Sequence, residues 1–329
     1  MKSRGLTHFL IVAVTLCGMI FLHACSTKKN TFTRRAFHNV NTHYNVYWNG
    51  NESFKQGVEE LQKSARENYN RILPVFNFGT ADEAKKVSNR MDRAIEKATI
   101  GIRRHSMVFK NKEYNKWIDD CFMLIGKSQF YKQDYNSARR TFEHIMSEYP
   151  GQPVYYDALL WIIQSNIQQK HYDEAIVRLE ELDALISKET VPFRVRRMLP
   201  LVYADYYLKI NNLNGAENAL KQGIELNTSG RTRARLNFIL AQIYQQQKDY
   251  ARATEHYTKV LKGPSSFEMA FNARINMARS FDIYGGNKAG LEKELHKMLK
   301  DSKNKDYRDQ IYYALAELSQ LDKNDTLTM

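Results

Sequence analysis

Four residues near the start of the chain have the types and the spacing of a lipobox: Leu22, His23, Ala24 and Cys25. In such a motif the thiol of the cysteine receives a diacylglycerol, and cleavage makes the cysteine the new N-terminus. The chemistry expected at Cys25 is therefore a lipid modification that attaches the protein to a membrane.

The residues before the lipobox have the order of a bacterial export signal. Lys2 and Arg4 give a positive start, and an apolar run follows from Phe9 to Leu22. The run is short for a membrane-spanning helix. We predict a signal peptide over residues 1–24 and a lipidated cysteine with a polar tether over residues 25–30, with an uncleaved anchor as the alternative. Either arrangement places the rest of the chain outside the cytoplasm.

The remaining sequence contains no recognisable motif for catalysis or for binding phosphate or metal. It lacks a phosphate-binding glycine loop, a dinucleotide fingerprint, an H-E-x-x-H motif and paired zinc cysteines. After signal removal only Cys25 and Cys121 are left, so acylation of Cys25 excludes an internal disulfide, and Cys121 is expected to pack in a core. The histidines after the signal are scattered: His38, His43, His105, His144, His171, His256 and His296. We predict no enzyme activity, no cofactor and no metal site.

A pair of antiparallel helices is predicted between Asp119 and Pro150, where the residue spacing is that of a tetratricopeptide repeat. Small side chains at Gly126 and Ala138 allow the two helices to approach closely. Gln133 and Asp134 form the turn between the helices, and Pro150 ends the second helix because it has no backbone donor.

The same pattern recurs along the chain. Ala138, Ala175, Ala216 and Ala253 are separated by 37, 41 and 37 residues, and a fifth unit with the loop Gly285-Gly286-Asn287 follows from Phe271 to Lys300. We predict an all-α fold, a right-handed superhelical solenoid of about five tetratricopeptide repeats over residues 119–304. Residues 305–329, with a helix from Tyr307 to Leu321, form the first helix of a further repeat that looks truncated.

Residues 31–118 are predicted to form an irregular helical segment in front of the repeats. A turn at Asn49–Glu52 is expected to start an amphipathic helix that carries Phe54, Val58 and Leu61. Thr80 and Asp82 can cap a later helix. The apolar stripe of that helix comprises Val87, Met91, Ile95, Ala98 and Ile102.

An apolar loop precedes the capped helix and is formed by Ile72, Leu73, Pro74, Val75 and Phe76. Loops are normally polar and exposed, so this composition indicates that another surface covers the loop. The loop either packs under the helix that follows Thr80 or contacts a protein partner, and we favour packing under the helix.

Repeats of this kind present a groove lined by the first helix of each unit. The repeat register places one polar or charged residue per unit in the groove: Lys127, Gln164, Asp205, Gln242 and Arg279. An apolar row lies beside it: Met123, Leu160, Leu201, Phe238 and Ile275. Such rows form a track for a peptide or protein, whereas the alternative is a surface that is merely solvated.

The composition is basic, with 49 Lys and Arg against 36 Asp and Glu, a formal net charge of +13. An exported chain does not meet nucleic acid, so nucleic acid is disfavoured as a partner. An acidic protein, anionic lipid A or peptidoglycan fits the compartment better, and the alternative is a basic surface that is merely solvated. Protein partners are expected and a small-molecule substrate is not. The basic residues Lys28 and Lys29 soon after Cys25 favour a body that faces the periplasm.

Three long runs resemble one known family: STKKNTFTRRAFHNVNTHYNVYWNGNESFKQGVEEL, RILPVFNFG and HSMVFKNKEYNKWIDDCFMLIGKSQFYKQDY. They resemble the N-terminal half of the PorW/SprE lipoproteins of Bacteroidota. The resemblance implies an outer-membrane lipoprotein of the type IX secretion system, which links the translocon to the periplasmic ring and supports motility in gliding relatives. Most members of that family continue beyond the sixth repeat.

Two other classes of lipoprotein also carry such repeats. A BamD-like assembly lipoprotein has a short run of repeats behind a lipidated cysteine, but it does not need the segment over residues 31–118. A SusD-like glycan-binding lipoprotein uses clustered aromatic residues for sugar stacking, whereas Trp48, Trp117 and Trp161 are far apart in this sequence.

Overall fold

The computed structural model describes residues 27–188, 190–280 and 288–325, with side chains up to residue 320. The lipobox Leu22–Cys25 and the loop Gly285-Gly286-Asn287 lie outside the described residues. Within these ranges nearly all regular structure is helical, and the one exception is a short antiparallel ribbon of β1 Val108–Phe109 and β2 Lys112–Glu113. The prediction of an all-α chain of tetratricopeptide-type helix pairs is confirmed.

The helices in front of the repeats form two rods. The first is continuous from Phe32 to Ser64, and the second, from Ala81 to His105, is interrupted at Val87. They are α1 Phe32–Asn41, a π-helical segment Thr42–Tyr47, α2 Trp48–Ser64, α3 Ala81–Lys86 and α4 Ser88–His105.

The helices of the repeat region follow in pairs. They are α5 Ile118–Tyr131, α6 Tyr135–Glu148, α7 Pro153–Gln168, α8 Tyr172–Lys188, α9 Phe193–Lys209, α10 Leu213–Leu226, α11 Gly230–Gln246, α12 Tyr250–Lys262, α13 Phe267–Arg279, α14 Lys288–Lys300 and, after a 3-10 turn Ser302–Tyr307, α15 Arg308–Asp325.

The described chain divides into two compact units. The first contains residues 27–65 and 78–178, and the second contains residues 66–77 and 179–325. This division differs from the predicted boundary between residues 118 and 119. The reason is that α4 packs along α5, where Ala94 and Ala98 share a buried cluster with Cys121 and Leu124. The expected packing role of Cys121 is confirmed by its complete burial.

The predicted turn at Asn49–Glu52 is wrong, because these residues belong to α2. Gly50 allows neighbouring helices to approach closely, and the chain does not turn there. A Cβ at Gly50 would lie 3.1 Å from Cδ2 of Leu124 and 3.3 Å from the carbonyl oxygen of Ala94. Thr80 caps the helix that begins at Ala81, as expected, but its reciprocal partner is Glu83 and not Asp82. This helix ends at Lys86, so the predicted apolar stripe from Met91 onward belongs to the separate helix α4.

The first repeat has the predicted internal packing. A Cβ at Gly126 would lie 2.5 Å from Cε1 of Phe142, so only glycine fits this contact. The recurring alanines Ala138, Ala175, Ala216 and Ala253 are all fully buried. The small positions of the sequence pattern are therefore the points of closest approach between helices.

The turn inside each repeat has a backbone signature with the same spacing as the alanines. Gln133, Lys170, Asn211 and Lys248 have positive φ values of 63°, 65°, 59° and 62°, at intervals of 37, 41 and 37 residues. In three of these turns the next residue caps the second helix through its side chain: Asp134, Asn212 and Asp249. A left-handed residue closes each of the four turns without a glycine, and in three of them a capping residue follows it.

Candidate functional site

The segment from Arg66 to Asn77, named the strap here, is an irregular stretch that belongs to the second unit. It contains the predicted apolar loop. The side chains of Leu73 and Val75 are only 1% and 4% exposed, and Tyr69 is buried with them. These three side chains share the largest hydrophobic cluster of the unit with residues of α9 to α13. The loop is therefore packed, but the prediction that it packs under the helix after Thr80 is wrong.

Gln242 on α11 holds the strap by its main chain. Its Oε1 accepts a hydrogen bond from the backbone N–H of Leu73 at 2.9 Å. Its Nε2 donates to the carbonyl oxygens of Tyr69 at 3.0 Å and Arg71 at 2.6 Å. One buried amide therefore satisfies three backbone groups of a segment that has no regular secondary structure to satisfy them.

Arg235, about two turns earlier on α11, holds both ends of the strap. Its Nε donates to the carbonyl oxygen of Val75 at 3.0 Å, and Nη2 donates to that of Pro74 at 2.8 Å. The same guanidinium forms a two-pronged ion pair with Glu67, at 3.1 Å and 2.5 Å. The planar fork of arginine suits this geometry. Sequence reasoning missed Arg235 and Glu67 because they are 168 positions apart and no local pattern relates them.

Asp205 on α9 is a third contact of the strap. Its carboxylate accepts a hydrogen bond from the backbone N–H of Val75. The residue is 1% exposed, and burial raises the pKa of the carboxyl to about 6, while Lys209, the Val75 N–H and Arg235 oppose the rise. Burial disfavours the charged form, so this group titrates nearer to neutrality than an ordinary aspartate.

Arg279 on α13 is the last predicted groove residue in this unit. Its Nη1 donates to Oδ1 of Asn70 in the strap at 2.9 Å, and its Nε donates to Glu317 on α15 at 3.0 Å. The structure thus brings Asp205, Gln242 and Arg279 together, as the register implies. Each of them contacts the chain's own strap.

The other two predicted groove residues, Lys127 and Gln164, lie in the first unit. The ammonium of Lys127 lies over the ring of Trp161 at 5.7 Å from the centroid, and Gln164 is 5% exposed. The predicted apolar row beside the groove residues is buried throughout and does not form an open track: Met123, Leu160, Leu201, Phe238 and Ile275. These side chains fill the space between helices.

A cleft of about 800 Å³ remains beside the strap in the second unit. The strap contributes Arg71, Ile72 and Pro74 to it, and the repeat helices contribute Lys209 and Gln246 among others. Arg71 and Lys209 are exposed. The acidic residue among the lining side chains, Asp205, is buried and already bonded to Val75, so the accessible rim of the cleft is basic.

Two of the scattered histidines form a pair in the first unit. Nδ1 of His38 lies 2.8 Å from Nδ1 of His105, so one ring donates and the other accepts. Burial and the neighbouring His38 lower the pKa of His105. Among the residues that the structure describes, no group of three or more His, Cys, Asp or Glu is placed to hold a metal ion.

Replacing Asp205 with asparagine is expected to remove a pH-dependent part of the stability. The folded pKa of about 6 lies above the value of about 4 for an unfolded aspartate, so the stability that the protonated side chain contributes is fully present below about pH 4 and is lost as the pH rises through about 6. The difference in the free energy of unfolding between Asp205→Asn and wild type should therefore depend on pH. It should favour the variant by on the order of 2 kcal/mol more near neutral pH than in acid. Urea unfolding of both proteins at several pH values measures this difference, and a difference that does not vary with pH would contradict the assignment.

Two stretches of the chain match known sequence families. Residues 120–151 and residues 202–266 each match a family described as tetratricopeptide repeat. The chain therefore contains tetratricopeptide repeats, in agreement with the helix pairs. No curated protein matches the chain.

Several solved structures are similar in fold at low sequence identity. One is the crystal structure of the APC/C hetero-tetramer Cut9-Hcn1, with 12% identity and a TM-score of 0.45, where the match covers 86% of this chain and 48% of that one. A thermophilic tetratricopeptide-repeat protein of Thermus thermophilus has 14% identity and a TM-score of 0.39, over 61% and 98% of the two chains. A tetratricopeptide-repeat protein of Parabacteroides merdae has 13% identity and a TM-score of 0.39, over 73% and 92%.

Proposed function

We propose that this protein is a non-catalytic scaffold of type IX protein secretion, attached to the outer membrane through Cys25 and facing the periplasm. Its role in this proposal is to link the translocon to the periplasmic ring. Three features support the proposal: a lipobox at the end of an export signal, an array of tetratricopeptide repeats, and the three runs that resemble the PorW/SprE lipoproteins. Such repeats offer surfaces to protein partners, and a short tether holds the surface near the membrane.

The strap determines which groove residues a partner can reach. Asp205 and Gln242 are buried beneath it, and their side chains form hydrogen bonds with its main chain. Arg71 and Lys209 are exposed in the cleft beside the strap. The partner surface best matched to this basic rim is an acidic segment of a secretion component, because opposite charges steer association.

Reversing the charge of Arg71 and Lys209 is expected to weaken partner capture. Lys209 also acts on the buried carboxyl of Asp205, so circular dichroism is recorded to show that the double variant is folded. Both side chains are exposed, so Arg71→Glu with Lys209→Glu should act mainly on the association rate. The test is recovery of translocon and ring components with the protein from crosslinked cells, measured together with secretion of a type IX cargo. The double variant should lose most of the recovered components and part of the secretion.

The matched control is Lys303→Glu with Lys305→Glu, which makes the same change of charge at two exposed positions outside the cleft. This control should behave as wild type. Equal losses in both double variants would show a general effect of charge and overturn the cleft as the contact. Normal cargo secretion after deletion of the gene would overturn the secretion role itself.

A further inference from the structure

An exposed apolar stripe runs along the rod formed by α1, the π-helical segment and the start of α2. The exposed fractions of its large side chains are 76% for Phe32, 55% for Val40, 64% for Tyr44 and 53% for Trp48. Ala36, also exposed, lies between the first two, so these residues recur at every fourth position. The stripe is defined by these five residues.

The opposite face of the rod packs against the rest of the first unit. It is formed by His38, Thr42, Val46 and Gly50, which are all buried and also recur at every fourth position. The two rows are offset by two residues, which is about 200° around a helix. The π-helical segment holds more residues per turn than an α-helix and keeps positions four apart in line. The stripe therefore faces away from the body of the unit.

The stripe lies in a part of the chain that carries basic side chains but no acidic ones. Residues 1–51 contain no acidic side chain, and the first acid is Glu52. The start of the described chain carries Lys28, Lys29, Arg34 and Arg35. Arg34 is in line with the buried row, and the guanidinium of Arg35 lies over the ring of Tyr114, so Lys28 and Lys29 are the cations next to the stripe. Basic residues beside an apolar face are the composition of a helix that lies on an anionic membrane surface. Tyrosine and tryptophan are also the side chains that favour the membrane interface.

The position of the stripe in the sequence indicates which surface covers it. The apolar run Phe9–Leu22 and Cys25 come directly before it, and Phe32 follows Cys25 by seven positions. An extended chain of that length spans at most about 25 Å. None of the described helices is long and apolar enough to cross a membrane.

We propose that the stripe lies in the interfacial layer of an anionic membrane, with the rod parallel to the surface. The partner is the lipid surface to which the N-terminus is attached, so the inference rests on the proposed attachment at Cys25. The stripe then adds a second contact to the lipid anchor. The two acyl chains of the diacylglycerol already hold the N-terminus at the membrane, and the stripe fixes the orientation of the rod on the surface.

Quenching of Trp48 by brominated lipids tests the contact directly. The full chain is reconstituted in vesicles of phosphatidylcholine and phosphatidylglycerol whose acyl chains carry bromine. Wild-type fluorescence should be quenched more than that of Trp48→Phe, because the other tryptophans lie in protein contacts: Trp117 stacks on His43 and Trp161 packs near Phe142. Equal quenching of the two proteins would overturn the proposal.

Vesicle binding of the chain that starts at position 25, with Cys25→Ser and without residues 1–24, separates the stripe from both the lipid and the apolar run Phe9–Leu22. Adding Val40→Asp and Tyr44→Asp should lower its vesicle partition by about tenfold or more, since charges are moved into the interfacial layer. The control pair Tyr312→Asp and Tyr313→Asp, at positions 60% and 59% exposed, should have no effect.

The anchor has its own readout, because Cys25→Ser should abolish labelling of the protein by fatty acid in cells. Unchanged labelling of that variant counts against lipidation and leaves the two vesicle measurements unaffected. A different combination of quenching results would show that a protein, and not lipid, covers the stripe. If Trp48 is shielded from acrylamide in cell envelopes but brominated lipid does not quench it, the membrane proposal is wrong.

Discussion

Replacing Gln242 with methionine is expected to lower the free energy of unfolding of the second unit by at least about 3 kcal/mol. Methionine has a similar length but no hydrogen-bonding amide. The substitution therefore leaves the N–H of Leu73 and the carbonyl groups of Tyr69 and Arg71 without their partner. Each buried polar group left unsatisfied costs about 1–3 kcal/mol, so the three losses together exceed the effect of an ordinary substitution.

Hydrogen exchange localised to α9 to α13 is the appropriate measurement, because it reports the second unit separately from the first. Gln246→Met is the matched control, since Gln246 is an exposed glutamine on the same helix. It should change the stability by less than about 0.5 kcal/mol. Equal protection in wild type and Gln242→Met would show that the three hydrogen bonds do not hold the strap.

Replacing Leu73 with alanine is expected to cost about 2–5 kcal/mol, the range found when a buried leucine is truncated and a cavity remains. Leu73 is 1% exposed and packs in a large cluster of buried residues, so little collapse around the cavity is possible. Urea unfolding followed by circular dichroism measures the loss.

Pro74→Ala tests the alternative in which this part of the chain serves a partner. Pro74 is exposed in the cleft, and its carbonyl oxygen, which Arg235 binds, is kept in the variant. It should unfold almost as wild type. If Leu73→Ala also unfolds as wild type, the strap is not part of the core and the loop is available to a partner after all.

The local features of the repeats could be predicted from the sequence because they depend on nearby residues. Gly126 and Ala138 mark close helix contacts within one hairpin, and Gln133 with Asp134 forms its turn. Thr80 caps its helix through a partner three residues away. Each of these depends on backbone geometry and side-chain size over a few turns of helix. The turn at Asn49–Glu52 was mispredicted because a glycine used for close packing has the same local sequence as a glycine used in a turn.

Local patterns therefore suffice to predict the helix pairs, their register and the placement of Asp205, Gln242 and Arg279 in one row. The segment that lies against this row is visible only in the folded chain. The strap meets Asp205, Arg235 and Gln242 across more than a hundred residues of chain, and such a meeting has no periodicity or spacing to reveal it. Hydrophobic burial supplies the reason: an apolar segment goes to whichever apolar surface remains uncovered, and that surface exists only after the repeats have stacked.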